Sequence, residues 1–147
     1  MRKRTVTIHW SYPTMLENIY EHNIIENIGI YCIYRKFGNK MSLLYIGKTS
    51  YSFKSRIYAH EKQWLYELRG QFYIRFGKIQ SPIQVNDALL EDVESALIYG
   101  VQPPYNEKKR NYYTNRTDYY VNIYNKGFRG DLPQIINARE QEKFKSK

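Results

Sequence analysis

The amino-acid sequence predicts an α/β fold of the α+β type, in which a hairpin, a further strand and two helices share one core. Three observations carry this expectation. The apolar run Ile28 to Tyr34 is followed, after the turn signal Gly38-Asn39, by a second run, Leu43-Leu44-Tyr45-Ile46, as in two antiparallel strands joined by a hairpin. The stretch from Ser52 to Arg69 holds neither Pro nor Gly, opens on a serine able to cap a helix and is closed by Gly70. Leu89, Leu90, Val93, Ala96 and Leu97 recur at the spacing of an amphipathic helix that starts near Asn86 or Asp87 and fades near Gly100, before Pro103-Pro104.

Residues 28–106 form the predicted core, flanked by an extension over 1–27 and a basic, tyrosine-rich extension over 107–147, in one compact domain. The first extension offers a strand at Thr5 to Trp10 and a helix opening near Pro13, where proline suits the first turn. Within the core, Phe53, Ile57, Trp64 and Leu68 share one helical face, and Gln71 to Ile79 reads as a third strand. In the last extension Thr117 to Tyr124 suggests a strand, Asn125 to Pro133 a loop, and the Lys-rich end a frayed helix or disorder.

Twenty-three Lys and Arg against fourteen Asp and Glu leave a formal charge of +9, which favours a polyanionic partner, nucleic acid most simply and an anionic membrane surface as the alternative. No apolar run is long enough to span a bilayer, and Met1-Arg2-Lys3-Arg4 is followed by Thr5, Thr7 and His9 rather than a signal-peptide core, so a cytoplasmic location is expected. Cys32 is the only cysteine, which excludes an intrachain disulfide and a multi-cysteine zinc site and suggests a buried, inert thiol. Several of the sixteen tyrosines cluster with basic residues, as in Lys108-Lys109-Arg110-Asn111-Tyr112-Tyr113 and Arg116-Thr117-Asp118-Tyr119-Tyr120. A base can stack on such a ring while a cation holds its phosphate, although tyrosine is also simply a good strand former.

One set of polar residues points to chemistry. Gly29-Ile30-Tyr31, Tyr45-Ile46-Gly47, Arg56 with His60, Glu94 and Asn106 supply the phenols, cation and carboxylate that metal-assisted phosphodiester cleavage requires. At 100° per residue Glu94 lies at the edge of its helix's apolar stripe, whereas Glu91 points away and is expected to be solvated. Arg56 and His60 are four apart and so share a helical flank.

The ordered series resembles the GIY-YIG nuclease superfamily. Gly29-Ile30-Tyr31 matches its first motif and Tyr45-Ile46-Gly47-Lys48 its second; Arg56 and His60 fall on the following helix, and Glu94 precedes Leu97-Ile98 and the Pro-Pro-Tyr-Asn run ending at Asn106. The resemblance covers residues 28–106, with a slightly long gap between the two tripeptides, and the flanking arms match nothing in it. It implies a small three-stranded antiparallel sheet flanked by helices, and metal-dependent endonuclease hydrolysis of DNA.

Within that frame Tyr31 is the general base and Tyr45 its assistant. An unperturbed phenol costs about 4 kcal/mol to ionise at neutral pH, a cost that a metal ion, Arg56 and Lys48 would lower. Glu94 is the metal ligand, holding one Mg²⁺ (or Mn²⁺) per site, since that ion needs few protein carboxylates. Arg56 suits the charge of the pentacovalent transition state. His60 either orients Tyr31, shuttles a proton or is a satisfied histidine beside the core. Asn106, counted with the catalytic set, is expected to tie its loop to the sheet, with direct substrate contact as the lesser alternative, and Lys48, Lys54, Lys108, Lys109, Arg110 and Arg116 are expected to meet DNA phosphates. The chain's length favours a restriction-type enzyme acting on double-stranded DNA, as a homodimer if both strands are cut. Homing or repair nucleases and a catalytically silent nucleic-acid-binding module are the alternatives.

Overall fold

A computed structural model describes residues 2–111, 116–117 and 119–137. Its strands are β1 (Arg2–Trp10), β2 (Thr14–Met15), β3 (Gly29–Phe37), β4 (Lys40–Thr49), β5 (Gln71–Ser81), β6 (Tyr119–Gly127) and β7 (Ile135–Asn137), with helices α1 (Phe53–Gln63) and α2 (Asp87–Val101). The strands join in one strongly curled mixed sheet of order β4-β3-β5-β1-β6-β7, with β2 pairing on β5. This corrects the small three-stranded sheet that the resemblance implies. The β4-β3-β5 trio is antiparallel, but pairing continues past β5, because the far edge of that strand carries β1 antiparallel to it and β1 in turn carries β6 parallel to itself.

The sheet grows for a physical reason visible in β1. Val6, Ile8 and Trp10 alternate with more exposed residues and are fully buried, so this strand has one apolar face that must be covered. In β6, Val121 and Ile123 bury the same face, and α2 covers all of them with Leu89, Leu90, Val93, Ala96 and Leu97. Trp10 is fixed further. Its ring lies over Gly77 on β5, where a side chain would collide with it, and its Nε1–H donates to Asn125 Oδ1 at 2.9 Å. Asn125 in turn donates to the Pro133 carbonyl. The segments read as extensions are thus built into the main sheet through β1, β6 and β7, and a truncation at Glu107 would remove buried core.

The opposite face is covered by α1 and by a short 3-10 turn at Leu16–Glu21, which stands where a helix near Pro13 was expected. Here Ile19, Tyr31, Ile33, Phe53, Ile57, Leu65, Ile74 and Phe76 form a second apolar cluster. With helices on both faces, β3 is buried at six consecutive positions, Gly29 to Tyr34, which is why it reads as an unbroken apolar run. Gly29 has φ +151°, and a Cβ there would meet the Gly77 carbonyl. Cys32 is fully buried, and burial pushes its thiol up to about 12, consistent with an inert role.

Both helices open as their sequences predict. Ser52 accepts from Ser55 N–H and Asn86 from Leu89 N–H. α2 ends at Val101, near the expected Gly100, while α1 differs from expectation: it stops at Gln63, short of Arg69, and a 3-10 turn follows at Leu65–Glu67. The Lys-rich end and the pair Tyr112-Tyr113 lie outside the described residues. Tyr119 and Tyr120 are half-buried in β6. No helix among the described residues is long and apolar enough to cross a membrane.

If β1 is integral to the core, Trp10→Ala lowers unfolding free energy by about 3–5 kcal/mol in chemical denaturation. A loss below about 1 kcal/mol would be the signature of a dispensable arm.

Candidate active site

The site begins with the register of the hairpin. Tyr31 on β3 stands opposite Gly47 on β4, and Ile33 opposite Tyr45, so both phenols project from the face covered by α1. The Tyr31 ring lies on Gly47: a Cβ at 47 would overlap its hydroxyl and Cζ. The glycine is there so that a large ring can be fully buried with its oxygen carried to the sheet edge. β4 is that edge.

Because α1 and α2 cover opposite faces, their side chains meet beside β4, around a cavity of about 570 Å³. It is lined by Tyr45, Arg56, His60, Trp64, Glu94 and Lys109 among others. Five of the six residues singled out in the sequence, Tyr45, Arg56, His60, Glu94 and Asn106, line it. The sixth, Tyr31, is fully buried behind them, with its hydroxyl 2.7 Å from His60 Nε2. Asn106 also ties loop to edge: its side chain accepts from Ile46 N–H and donates to Ile46 C=O, both at 2.9 Å. Tyr105 N–H bonds to Leu44 C=O, so the loop after α2 covers the exposed backbone of β4.

Burial raises the Tyr31 phenol above its ordinary value, and Tyr45 adds to this, while Arg56 opposes it. Tyr45 is raised for the same first reason, with Glu94 adding and Arg56 opposing. The resting protein therefore holds neutral phenols, more costly to ionise than a free tyrosine, with one guanidinium close enough to favour ionisation of either. His60 is 5% exposed, and burial followed by the nearby Arg56 charge lowers it to about 4. Its ring is neutral at neutral pH. Trp64, read in the sequence as part of an apolar stripe, donates its indole N–H to His60 Nδ1 at 2.8 Å. The only sequence signal for this was its position four residues after His60.

Glu94 is 8% exposed, and burial pushes its carboxyl up against the pull of Lys109 and Lys48. Lys109 Nζ lies 2.6 Å from Glu94 and 2.5 Å from Glu91, and Lys48 Nζ is 3.4 Å from Glu91. Glu91 is therefore not solvated: burial raises it, but the two lysines outweigh burial and hold it below the usual range. Burial disfavours the Lys109 ammonium, yet the two carboxylates more than restore it. Lys109 reaches this place from a backbone with φ +70°. Helical arithmetic missed Glu91 because its partners come from outside the helix.

The other predicted phosphate contacts scatter. Lys54 is exposed and 3.8 Å from Glu26 on the flank of α1, Lys108 is exposed at the cavity rim, and Arg110 is half-buried with its Nε shielded from solvent. Arg116 binds Asp92 through its backbone N–H, at 2.6 Å. Asp92, fully buried and overlooked in the sequence, also accepts from Thr117 N–H and so anchors the entry to β6.

Among the described residues no cluster of three or more His, Cys, Asp or Glu side chains is arranged to hold a metal ion. The pair Glu91 and Glu94 already gathers around a cation, the Lys109 ammonium, and offers the hard oxygen donors that suit Mg²⁺, an ion that keeps several waters and needs few protein ligands. The donor set fits such an ion with Glu94 as ligand. Compared with protein-family models, characterised proteins and solved structures, the chain matches none.

The lowered His60 has a consequence for stability. In the unfolded chain the ring takes its proton below about pH 6.5, and in the folded one only near pH 4, so the unfolded state binds more protons between these values. Stability is complete above that window and falls as pH drops through it. Between about pH 7 and about pH 4.5, wild-type protein loses about 2 kcal/mol more than His60→Gln in urea unfolding. Equal losses would mean that the ring is not held neutral by the fold.

Proposed function

We propose that this chain is a metal-dependent endonuclease that hydrolyses DNA phosphodiester bonds through a GIY-YIG-type site, most simply in a restriction role on double-stranded DNA. The observation that carries the reading is the gathering of Tyr45, Arg56, His60 and Glu94, from β4, α1 and α2, around one cavity at a sheet edge, with the buried Tyr31 of β3 bonded to His60 behind them. The positive charge of +9 supports a polyanionic substrate.

In this reading the side chains divide the work. Arg56, exposed above both phenols, forks onto the phosphate and offsets the charge that grows on its oxygens. Tyr31 accepts the proton of the attacking water as a phenolate, its own proton having passed to solvent water. Burial makes that ionisation costly, and Arg56, placed to hydrogen-bond its oxygen, reduces the cost. Tyr45 shares the same guanidinium and the same face. Glu94, with Glu91 close by, would hold Mg²⁺ or Mn²⁺, and the ion when bound supplies Lewis-acid stabilisation of phosphate charge. Lys109 and Lys48, beside these carboxylates, are placed to meet the substrate phosphates.

A second reading draws on Lys109. The Lys109 ammonium stands between Glu91 and Glu94, where a metal ion would be held, which suits a module without catalysis that would bind DNA through its overall charge of +9 and leave it intact. Incubation with supercoiled plasmid separates the two. The nuclease reading predicts Mg²⁺-dependent nicked or linear product that disappears on chelation, a loss of about 10³-fold in Glu94→Ala and of about 10²–10³-fold in Arg56→Ala. Intact plasmid across varied divalent ions and salt, or full activity in Glu94→Ala, would remove it. DNA affinity falls steeply with salt under either reading.

A further inference from the structure

Trp64 stands where α1 ends. Its backbone leaves the helix with φ −151° and ψ −29°, while its N–H still bonds to the His60 carbonyl at 3.1 Å. This departure from helical geometry brings the indole back over the preceding turn, edge-on to the His60 ring at 5.7 Å between centroids and stacked on Tyr105 at 5.2 Å. The indole Nε1–H sits 2.8 Å from His60 Nδ1.

An indole N–H can only donate, so Nδ1 must present its lone pair and cannot carry a proton while this bond exists. A neutral imidazole has one N–H, and the remaining place for it is Nε2. That nitrogen is 2.7 Å from Tyr31 Oη. The direction of the second bond is thereby settled by the first: Nε2–H donates and the phenol oxygen accepts. Had Tyr31 donated instead, Nδ1 would have to hold a proton facing the indole N–H, two donors in collision.

We infer that Trp64 is a positioning residue of this site, locking His60 in the Nε2–H tautomer so that His60 gives a hydrogen bond to the Tyr31 oxygen and does not take its proton. The inference rests on the nuclease reading for its purpose, though not for its geometry. Of the roles open to His60, it selects orientation and stabilisation of the Tyr31 oxygen over proton shuttling. The phenol proton is turned away from the ring, so whatever removes it acts from elsewhere. A protonated His60 would need Nδ1–H and would break the Trp64 bond, which adds to the effect of the groups around the ring: Arg56 on its own helix, Tyr31 and Tyr45 from β3 and β4, and Glu94 and Lys109 across the cavity.

The ¹⁵N resonances of His60 in the wild-type protein at neutral pH test the lock directly. An unprotonated Nδ1 with a protonated Nε2, and scalar coupling between Trp64 Nε1 and His60 Nδ1 across the bond, is the expected result; a protonated Nδ1 overturns the inference. Trp64→Phe keeps a ring to stack on Tyr105 and removes only the donor. In that variant the His60 protonation midpoint rises by about one pH unit, and cleavage falls about threefold relative to wild type near pH 4.5 while matching it near pH 8. An unchanged midpoint overturns the inference. Because the nitrogen shifts are read without DNA, an inactive wild-type protein with the expected shifts would count against the nuclease and leave the lock standing.

Discussion

The absence of a side chain at position 47 is the constraint on which the site depends. Tyr31 can be fully buried and still bring its oxygen to the sheet edge only because Gly47, its partner across the β3–β4 pair, leaves room for the ring. From that oxygen the rest of the arrangement can be reconstructed. His60 meets it from α1, Trp64 holds His60, and Arg56, one helical turn before His60, faces both phenols. Two of the three residues in each tripeptide thus have a clear physical role: a phenol in place, and a glycine where two parts of the chain approach too closely for a Cβ.

The edge position of β4 matters as much. A site in the middle of the sheet would see side chains from one face only, whereas here α1 on one side and α2 on the other both reach the same cavity. The cost is an exposed strand edge, and the loop after α2 offsets it: Asn106 satisfies both backbone groups of Ile46, and Tyr105 N–H satisfies Leu44. The same loop carries Lys109 to Glu91 and Glu94. Strand protection and cation placement are therefore joined in one segment.

The legible parts of the sequence were those with local causes. The hairpin followed from an apolar run and a Gly-Asn turn, and the helix starts followed from Ser52 and Asn86, whose side chains cap as their types suggest. The candidate residues were found by order and spacing, and the structure gathers them. The full sheet was not legible. The strands at Thr5 to Trp10 and Thr117 to Tyr124 could be seen, but β1 and β6 pair in parallel across more than a hundred residues, and no local pattern encodes a partner so distant. The end of α1 was hidden for a similar reason. Nothing between Ser52 and Arg69 breaks a helix by type; the break comes at Trp64, whose indole is held by His60 and Tyr105. Lys109 read as one more phosphate contact, because its carboxylate partners lie on a different element.

The proposed function requires the side chains gathered from β4, α1, α2 and the loop after it to hold a divalent ion at Glu94. Paramagnetic Mn²⁺ titrated into the uniformly labelled protein tests it most directly. With the ion held at Glu94, the first resonances to broaden are those of Glu94, Glu91, Tyr45, His60 and Lys109, before any others of the molecule. Broadening centred elsewhere, with the Glu94 and Tyr45 signals sharp, would contradict it.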